Sequence, residues 1–279
     1  MPIIEPFVRW AGGKSWLVPH LTEIISSIEI NHFHEPFLGG AAIFLAIDHK
    51  KKAYLSDINE ELINTYREVR NNYQDVIKAL HSFKNTEEDY YRIRNLSFDD
   101  PSEKAARFIY LNQTSYNGLY RVNKSGTYNV PYGHRLKLNY NDSRIQMVSL
   151  KLQKANLKCG DFETNKYIIK RHDLVFLDPP YTVSHNNNGF IEYNKTLFSL
   201  EDQLRLCHFI EYIKRKDAYY ILTNAAHPKI KEIFGQEDPP IVFKRNSLIG
   251  GKNSKREKIE EYIFTNIKRG NSNGKNELG

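Results

Sequence analysis

Sulfur is scarce in this chain, and no segment of it is long and apolar. Cysteine occurs twice in 279 residues, at Cys159 and Cys207. That is too few for a disulfide framework or for a zinc site built on thiolates, so both are expected as free thiols in a reducing, cytoplasmic compartment. The longest apolar runs, such as Ala41 to Ile47, fall far short of the roughly 20 residues that cross a bilayer. No apolar stretch near the N-terminus has the form of a signal peptide. The histidines follow no ligand-like repeat, and His32 with His34 reads as the flank of a strand rather than as a metal site. A soluble protein with no metal and no membrane contact is expected.

What remains is ordinary globular material with one unusual stretch. Hydrophobic residues make up 40% and charged residues 26%, which excludes a disordered chain, and the length suits one large domain or two modest ones. The net charge of +7 is a mild basic bias, compatible with a polyanionic partner. Between Lys104 and Asn141 there is no Asp or Glu at all. The same stretch carries Lys104, Arg107, Arg121, Lys124, Arg135 and Lys137, interleaved with Tyr110, Tyr116, Tyr120, Tyr128, Tyr132 and Tyr140. Such a segment suits a surface pressed on phosphates and base edges.

Periodicity and punctuation predict the elements. Helical spacing runs from Lys14 to Ile30, Asn59 to Phe83 and Glu87 to Leu96. Asp100-Pro101-Ser102-Glu103 is a helix start with an N-cap acceptor, Pro in the first turn and Glu at N3. Tyr116 to Val122 and Thr127 to Pro131 flank Lys124-Ser125-Gly126 as a β-hairpin. Strand-like runs follow at Ala155 to Cys159, Leu174 to Leu177, Ala218 to Thr223, Ile241 to Lys244 and Tyr262 to Ile267, with helices at Leu200 to Lys214 and Pro228 to Phe234. Alternating strands and helices indicate an α/β sheet. The helical and hairpin stretch interrupts it as an inserted domain. The expected division is 1–63 with 150–267, then 64–149, then a flexible tail at 268–279.

Three places carry chemistry. Trp10-Ala11-Gly12-Gly13-Lys14-Ser15 resembles a phosphate loop, but the Walker spacing requires Gly where Val8 stands. A Gly-rich turn remains, serving either as a helix cap or as backbone N–H groups offered to a ligand. Glu35-Pro36-Phe37-Leu38-Gly39-Gly40 follows a short strand, and Asp57 closes the next one. A Gly turn and then an acid, each at a strand's carboxyl end, suggest a nucleoside-containing cofactor. The sharpest signal is Leu174-Val175-Phe176-Leu177-Asp178-Pro179-Pro180-Tyr181. Here an apolar strand delivers an acid, two prolines leave carbonyls without local N–H partners, and an aromatic face is available for a planar base. The second Asp-Pro-Pro, at Asp238-Pro239-Pro240, lacks the preceding strand and the aromatic, and reads as a loop.

Together with Phe7 to Lys14, Glu35 to Gly39, Ser56-Asp57-Ile58-Asn59, Tyr116 to Arg121 and Asn129-Val130-Pro131-Tyr132-Gly133, the Asp-Pro-Pro-Tyr motif resembles the Dam-type (D12 class, alpha group) DNA adenine-N6 methyltransferases. The motifs keep the family's order from Phe7 to about Ile267. The resemblance implies a Rossmann-like methyltransferase sheet with an inserted, mostly helical DNA-recognition domain carrying a β-hairpin. It implies S-adenosylmethionine bound by Trp10, Lys14, Glu35, Pro36, Phe37, Gly39, Asp57, Asp161, Phe162 and Asp178. It implies catalysis by Asp178, Pro179, Pro180 and Tyr181 on an adenine flipped out of double-stranded DNA. Arg9, Tyr116, Asn117, Leu119, Arg121 and Pro131 match the family's DNA-reading positions, and Lys124, Arg135 and Lys137 are expected on phosphates.

Three residues depart from the family's usual pattern. Ala41 stands where relatives often have Gly, Arg9 replaces the common Lys, and His134 sits where many relatives have Arg. An Arg can hold guanine O6 and N7 bidentately, and GATC is the expected target. A cognate restriction endonuclease acting on the same site is a further expected partner. The other readings are a DNA-binding protein on a decayed scaffold, and transfer to cytosine N4 or to RNA.

Overall fold

The computed structural model describes residues 4–47, 51–123, 125–138, 140–181, 198–246 and 258–268. In chain order its helices and strands are α1 (Val18–Ile25), β1 (Phe33–Glu35), α2 (Ala42–Ala46), β2 (Ala53–Asp57), α3 (Glu60–His81), α4 (Glu87–Asn95), α5 (Pro101–Thr114), α6 (Asp142–Leu152), β3 (Ala155–Cys159), β4 (Leu174–Leu177), α7 (Leu200–Arg215), β5 (Tyr219–Ala225), α8 (Pro228–Phe234), β6 (Ile241–Asn246) and β7 (Lys258–Thr265). Contacts divide the chain into one unit of residues 1–22 and 38–164 and another of 23–37 and 165–279. Helix starts fall where the sequence supplies acceptors for the unpaired N–H groups of the first turn. Asn59 caps α3, Thr86 caps α4 and Asp100 caps α5. Ser199 and Asp202 close a reciprocal capping box on α7.

In the first unit β2 and β3 pair in parallel, from Ala53 opposite Ala155 to Asp57 opposite Cys159. Helix α3 buries Leu62, Ile63, Tyr66 and Val69 and packs on both strands, α5 and α6. Helix α5 is buried nearly all round at its C-terminal end, including the polar residues Asn112, Gln113 and Thr114. These stay satisfied by holding backbone. Asn112 accepts from Arg9 N at 2.7 Å and donates to Arg9 O at 2.8 Å, and Gln113 donates to Phe7 O at 2.6 Å.

Half of the tyrosines in the acid-free stretch are core. Tyr110, Tyr128 and Tyr132 are buried, and the Tyr90 ring meets those of Tyr110 and Tyr132. Their hydroxyls reach backbone carbonyls: Tyr90 on Val130, Tyr110 on Lys84, Tyr132 on Asn85. A Tyr ring contributes apolar area while its hydroxyl settles a buried carbonyl, so tyrosine density alone did not mark a binding face. Burial raises the Tyr128 hydroxyl pKa to about 12. Tyr116, by contrast, is exposed.

The predicted hairpin is present in its hydrogen bonds but not as two regular strands. Asn123 N donates to Thr127 O, Asn129 N to Arg121 O and Tyr116 N to Pro131 O, while the ladder shrinks to single bridges at Val122–Tyr128 and Ser115–Tyr132. The first arm begins as a 3-10 turn over Tyr116–Gly118 because Asn117 and Gly118 sit at φ 56° and 66°. Helix α6 was not anticipated from the sequence.

In the second unit the strand order is β1-β4-β5-β7-β6. β1, β4 and β5 run parallel, and β7 lies antiparallel between β5 and β6. β4 is fully buried, and α7 covers β5 with Leu206, Phe209 and Ile213. This is the expected α/β, Rossmann-like class. β7 starts four residues before the predicted strand, because Glu260 and Glu261 read as strand-ending charges. At the amino ends of β1 and β4, His32 and His34 both bond the buried Asp173, at 3.2 and 3.0 Å. Burial alone would raise the Asp173 carboxyl, but the bonds from His34 and from the Lys170 N–H outweigh it and lower its pKa. Among the described residues no helix is long and apolar enough to cross a membrane.

Candidate functional site

Two side-chain constellations form at strand carboxyl ends, one in each unit. In the first unit the acid at the end of β2 organises the Gly turn. Asp57 accepts from Gly39 N on one oxygen and Asn59 N on the other, both at 2.9 Å. Burial raises its pKa, while N–H donors from Asn59, Gly39 and Ile58 pull it back. The Gly39 carbonyl accepts from the buried Tyr66 hydroxyl at 3.1 Å. Gly39 is required twice over. Its φ is +46°, and a Cβ there would lie 2.7 Å from Trp10 Cδ1. Trp10 stacks on Tyr120, with centroids 5.7 Å apart. Lys14 is buried and donates to Gly12 O at 2.7 Å.

The adjoining end of β3 adds the next predicted segment. Gly160 N donates to Asp57 O at 3.0 Å, Asp161 accepts from Glu163 N, and Phe162 is buried. Ile58 stands exposed between these groups and solvent. The structure therefore brings Trp10, Lys14, Gly39, Asp57, Asp161 and Phe162 into the same unit. A carboxylate backed by a Gly turn, with an exposed aliphatic face beside it, fits the ribose and base of a nucleoside.

The same unit carries the candidate DNA-reading residues. Arg9 lies over the Tyr116 to Gly118 turn: a Cβ on Gly118 would come 2.6 Å from Arg9 Cδ. Partial burial lowers the Arg9 pKa. Arg121 is exposed and is held by Asn129, with Nε on Oδ1 at 2.8 Å and Nη2 on the backbone O at 3.3 Å. Tyr116, Asn117, Leu119, Pro131 and Lys137 are exposed, and Arg135 is half-buried. Lys124 lies outside the described residues.

The Gly118 and Arg9 contact makes a measurable claim. Left-handed backbone costs a residue with a Cβ about 1–2 kcal/mol. Gly126 in the hairpin turn also has positive φ, +77°, but a Cβ there meets nothing within 4 Å. Gly118→Ala should therefore lower unfolding stability by more than Gly126→Ala in a denaturant titration. Equal losses would mean that the Arg9 stem simply moves aside.

In the second unit Glu35 ends β1 and is buried, and Phe37 packs edge-on against Phe198 with centroids 5.8 Å apart. Asp178 leaves the buried strand β4 beside β5, where Thr223 donates to its Oδ1 at 2.7 Å. Pro179 is buried and Pro180 exposed. Tyr181 donates its hydroxyl to Glu261 Oε2 at 2.7 Å, and burial together with the Asp178 and Glu261 charges raises its pKa far above the ordinary value. Sequence reasoning missed Thr223 and Glu261. They stand 45 and 80 residues from their partners, and only the β5–β7 pairing places them. No local signal marked them, since Glu261 follows Glu260 at the start of a strand and Thr223 sits within a buried one.

Comparison with known proteins identifies the family. The family model described as "D12 class N6 adenine-specific DNA methyltransferase" matches residues 10–246. The type II methyltransferase M1.LlaDCHI of Lactococcus lactis subsp. cremoris is 34% identical over 274 residues, covering 94% of this chain and 95% of the relative. The type II methyltransferase M.MjaIII of Methanocaldococcus jannaschii is 34% identical over 80% of this chain and 84% of its own. The DNA adenine methylase of Escherichia coli K12 is 29% identical over 92% of this chain and 93% of its own.

Proposed function

This chain belongs to the D12 class N6 adenine-specific DNA methyltransferases, and from that premise we propose that it methylates adenine in GATC within double-stranded DNA, with S-adenosylmethionine as donor and Asp178 to Tyr181 as the reacting motif. The observation that carries the assignment of chemistry is the Asp178 carboxylate, emerging from a buried strand and oriented by Thr223. The exocyclic amine of adenine is a poor nucleophile because its lone pair is delocalised into the ring. Asp178 and the carbonyl of Pro179 accept the two N6 hydrogens, which draws the nitrogen towards a tetrahedral form and frees the lone pair. Pro180 has no N–H to compete for a nearby carbonyl. The Tyr181 ring stacks on the base once it is flipped from the duplex, where no donor could reach it. The donor, when bound, supplies a methyl group on an electrophilic sulfonium, so positioning can account for much of the barrier reduction.

On the cofactor side, Asp57 accepts the ribose hydroxyls, and Trp10, Lys14, Gly39, Asp161 and Phe162 of the same unit line the donor. The raised Asp57 pKa has a consequence. Its charged form is the better acceptor for ribose, so donor affinity should weaken as pH is lowered from neutral, earlier than an ordinary aspartate would allow. A binding titration across pH checks this, with Asp57→Asn expected to flatten the profile. A slope that persists in Asp57→Asn would assign the titration to another group.

For recognition, residues 64–149 act as the target-reading portion. Arg9 and Arg121 hold guanines, while Tyr116, Asn117, Leu119 and Pro131 contact the bases around them. Lys124, Arg135 and Lys137 bind phosphates. Two relatives are named type II methyltransferases, which supports a restriction endonuclease sharing this site. The test is native long-read sequencing of genomic DNA from a methylation-free host expressing the protein. N6-methyladenine at GATC is the expected result. Another motif would shift the specificity to Arg9, Arg121 and His134, and no modified base would overturn the assignment.

A further inference from the structure

Glu261 lies on β7, a strand outside every motif that defines the reacting segment, yet it is fully buried and its Oε2 is 2.7 Å from the Tyr181 hydroxyl. A carboxylate is costly to bury unless hydrogen bonds hold it, so its place there needs a reason. Opposite it on β5 is Ala225, and Thr223, two residues earlier on the same strand, is the donor to Asp178. The adjacent strands β5 and β7 thus both reach the Asp-Pro-Pro-Tyr segment, Thr223 through the Asp178 carboxylate and the Tyr181 hydroxyl, and Glu261 through that same hydroxyl.

We propose that Glu261 is a positioning residue that tethers the Tyr181 hydroxyl, fixing the plane of the ring on which the flipped adenine stacks. This rests on the reading of Tyr181 as the base platform. Without Glu261 the hydroxyl loses its carboxylate acceptor, and the ring of a tyrosine that follows two prolines gains freedom about its side-chain bonds. Adenine stacked on a turning ring spends less time with its amine on Asp178. The loss falls on kcat, and donor binding is untouched, because positioning errors of an ångström can cost up to about a hundredfold in rate.

The experiment compares Tyr181→Phe, Glu261→Leu, Glu261→Gln and Tyr181→Ala in the full chain. The readouts are kcat, donor affinity and the fluorescence of DNA carrying 2-aminopurine at the target adenine. Tyr181→Phe and Glu261→Leu should each lower kcat by about tenfold with unchanged donor affinity, and the double variant should do no worse than either alone. Both should brighten the 2-aminopurine signal, since an extruded base that stacks poorly is less quenched. Glu261→Gln keeps an acceptor and should recover most of the rate. Near-native rate and fluorescence in Tyr181→Phe would overturn the tether, even if Glu261→Leu fails to fold. If Tyr181→Ala also leaves the fluorescence and kcat unchanged, the stacking role of Tyr181 fails; if only Tyr181→Ala is defective, the tether alone fails.

Discussion

Asp178→Ala should lower methyl transfer by about a thousandfold, the scale lost when one hydrogen-bonding group that acts chiefly in the transition state is removed. Its carboxylate is the group at the end of β4 able to take an N6 hydrogen, and it is already oriented by Thr223 at 2.7 Å. The loss should sit almost wholly in kcat. Single-turnover assays with saturating DNA and donor would report the chemical step apart from any change in donor binding, while equilibrium titrations of DNA stay near those of the parent chain. Asp178→Asn keeps the shape and one acceptor oxygen but removes the charge, and should fall between. A parent-like single-turnover rate in Asp178→Ala would sink the assigned chemistry.

Arg121→Ala should remove discrimination at one base pair while sparing the others. A bidentate guanine contact is worth about 1–3 kcal/mol against a wrong base, roughly 5- to 150-fold in relative kcat/KM between the cognate site and one altered there. Arg121 is exposed, and Asn129 engages its Nε and Nη2, so the guanidinium is presented in a set pose at little cost in side-chain entropy. Lys137→Ala supplies the contrast. A phosphate contact carries no sequence information, so its loss should weaken binding to every site alike and reduce the salt dependence by about one ion. Equal losses for Arg121→Ala on all sequences would reassign it to phosphate.

Helix starts were legible because caps are local: Asn59, Thr86 and Asp100 act on donors within three residues. The buried strand before Asp178 was equally plain, since four apolar residues in a row suit a parallel interior strand. Asp57 stood out for its place at a strand end, and the structure adds that it builds the Gly39 turn. What escaped the sequence was long-range. Asn112 holds Arg9, Thr223 holds Asp178 and Glu261 holds Tyr181, none of which periodicity can report. The tyrosines misled for the opposite reason. Their composition suited a nucleic-acid face, but the rings of Tyr110, Tyr128 and Tyr132 serve the interior, and the hydroxyls of Tyr110 and Tyr132 its carbonyls.

That tyrosine interior has an evolutionary consequence. The side chains of Tyr116, Leu119, Arg121 and Pro131 on the hairpin are exposed, and exposed substitutions away from special backbone cost within about 0.5 kcal/mol. The rings of Tyr110, Tyr128 and Tyr132 behind them are buried and hold the loop's shape whatever those outer residues are. Where such outer residues read the bases, as proposed, mutational drift rewrites sequence preference at little cost in folding, one exposed residue at a time.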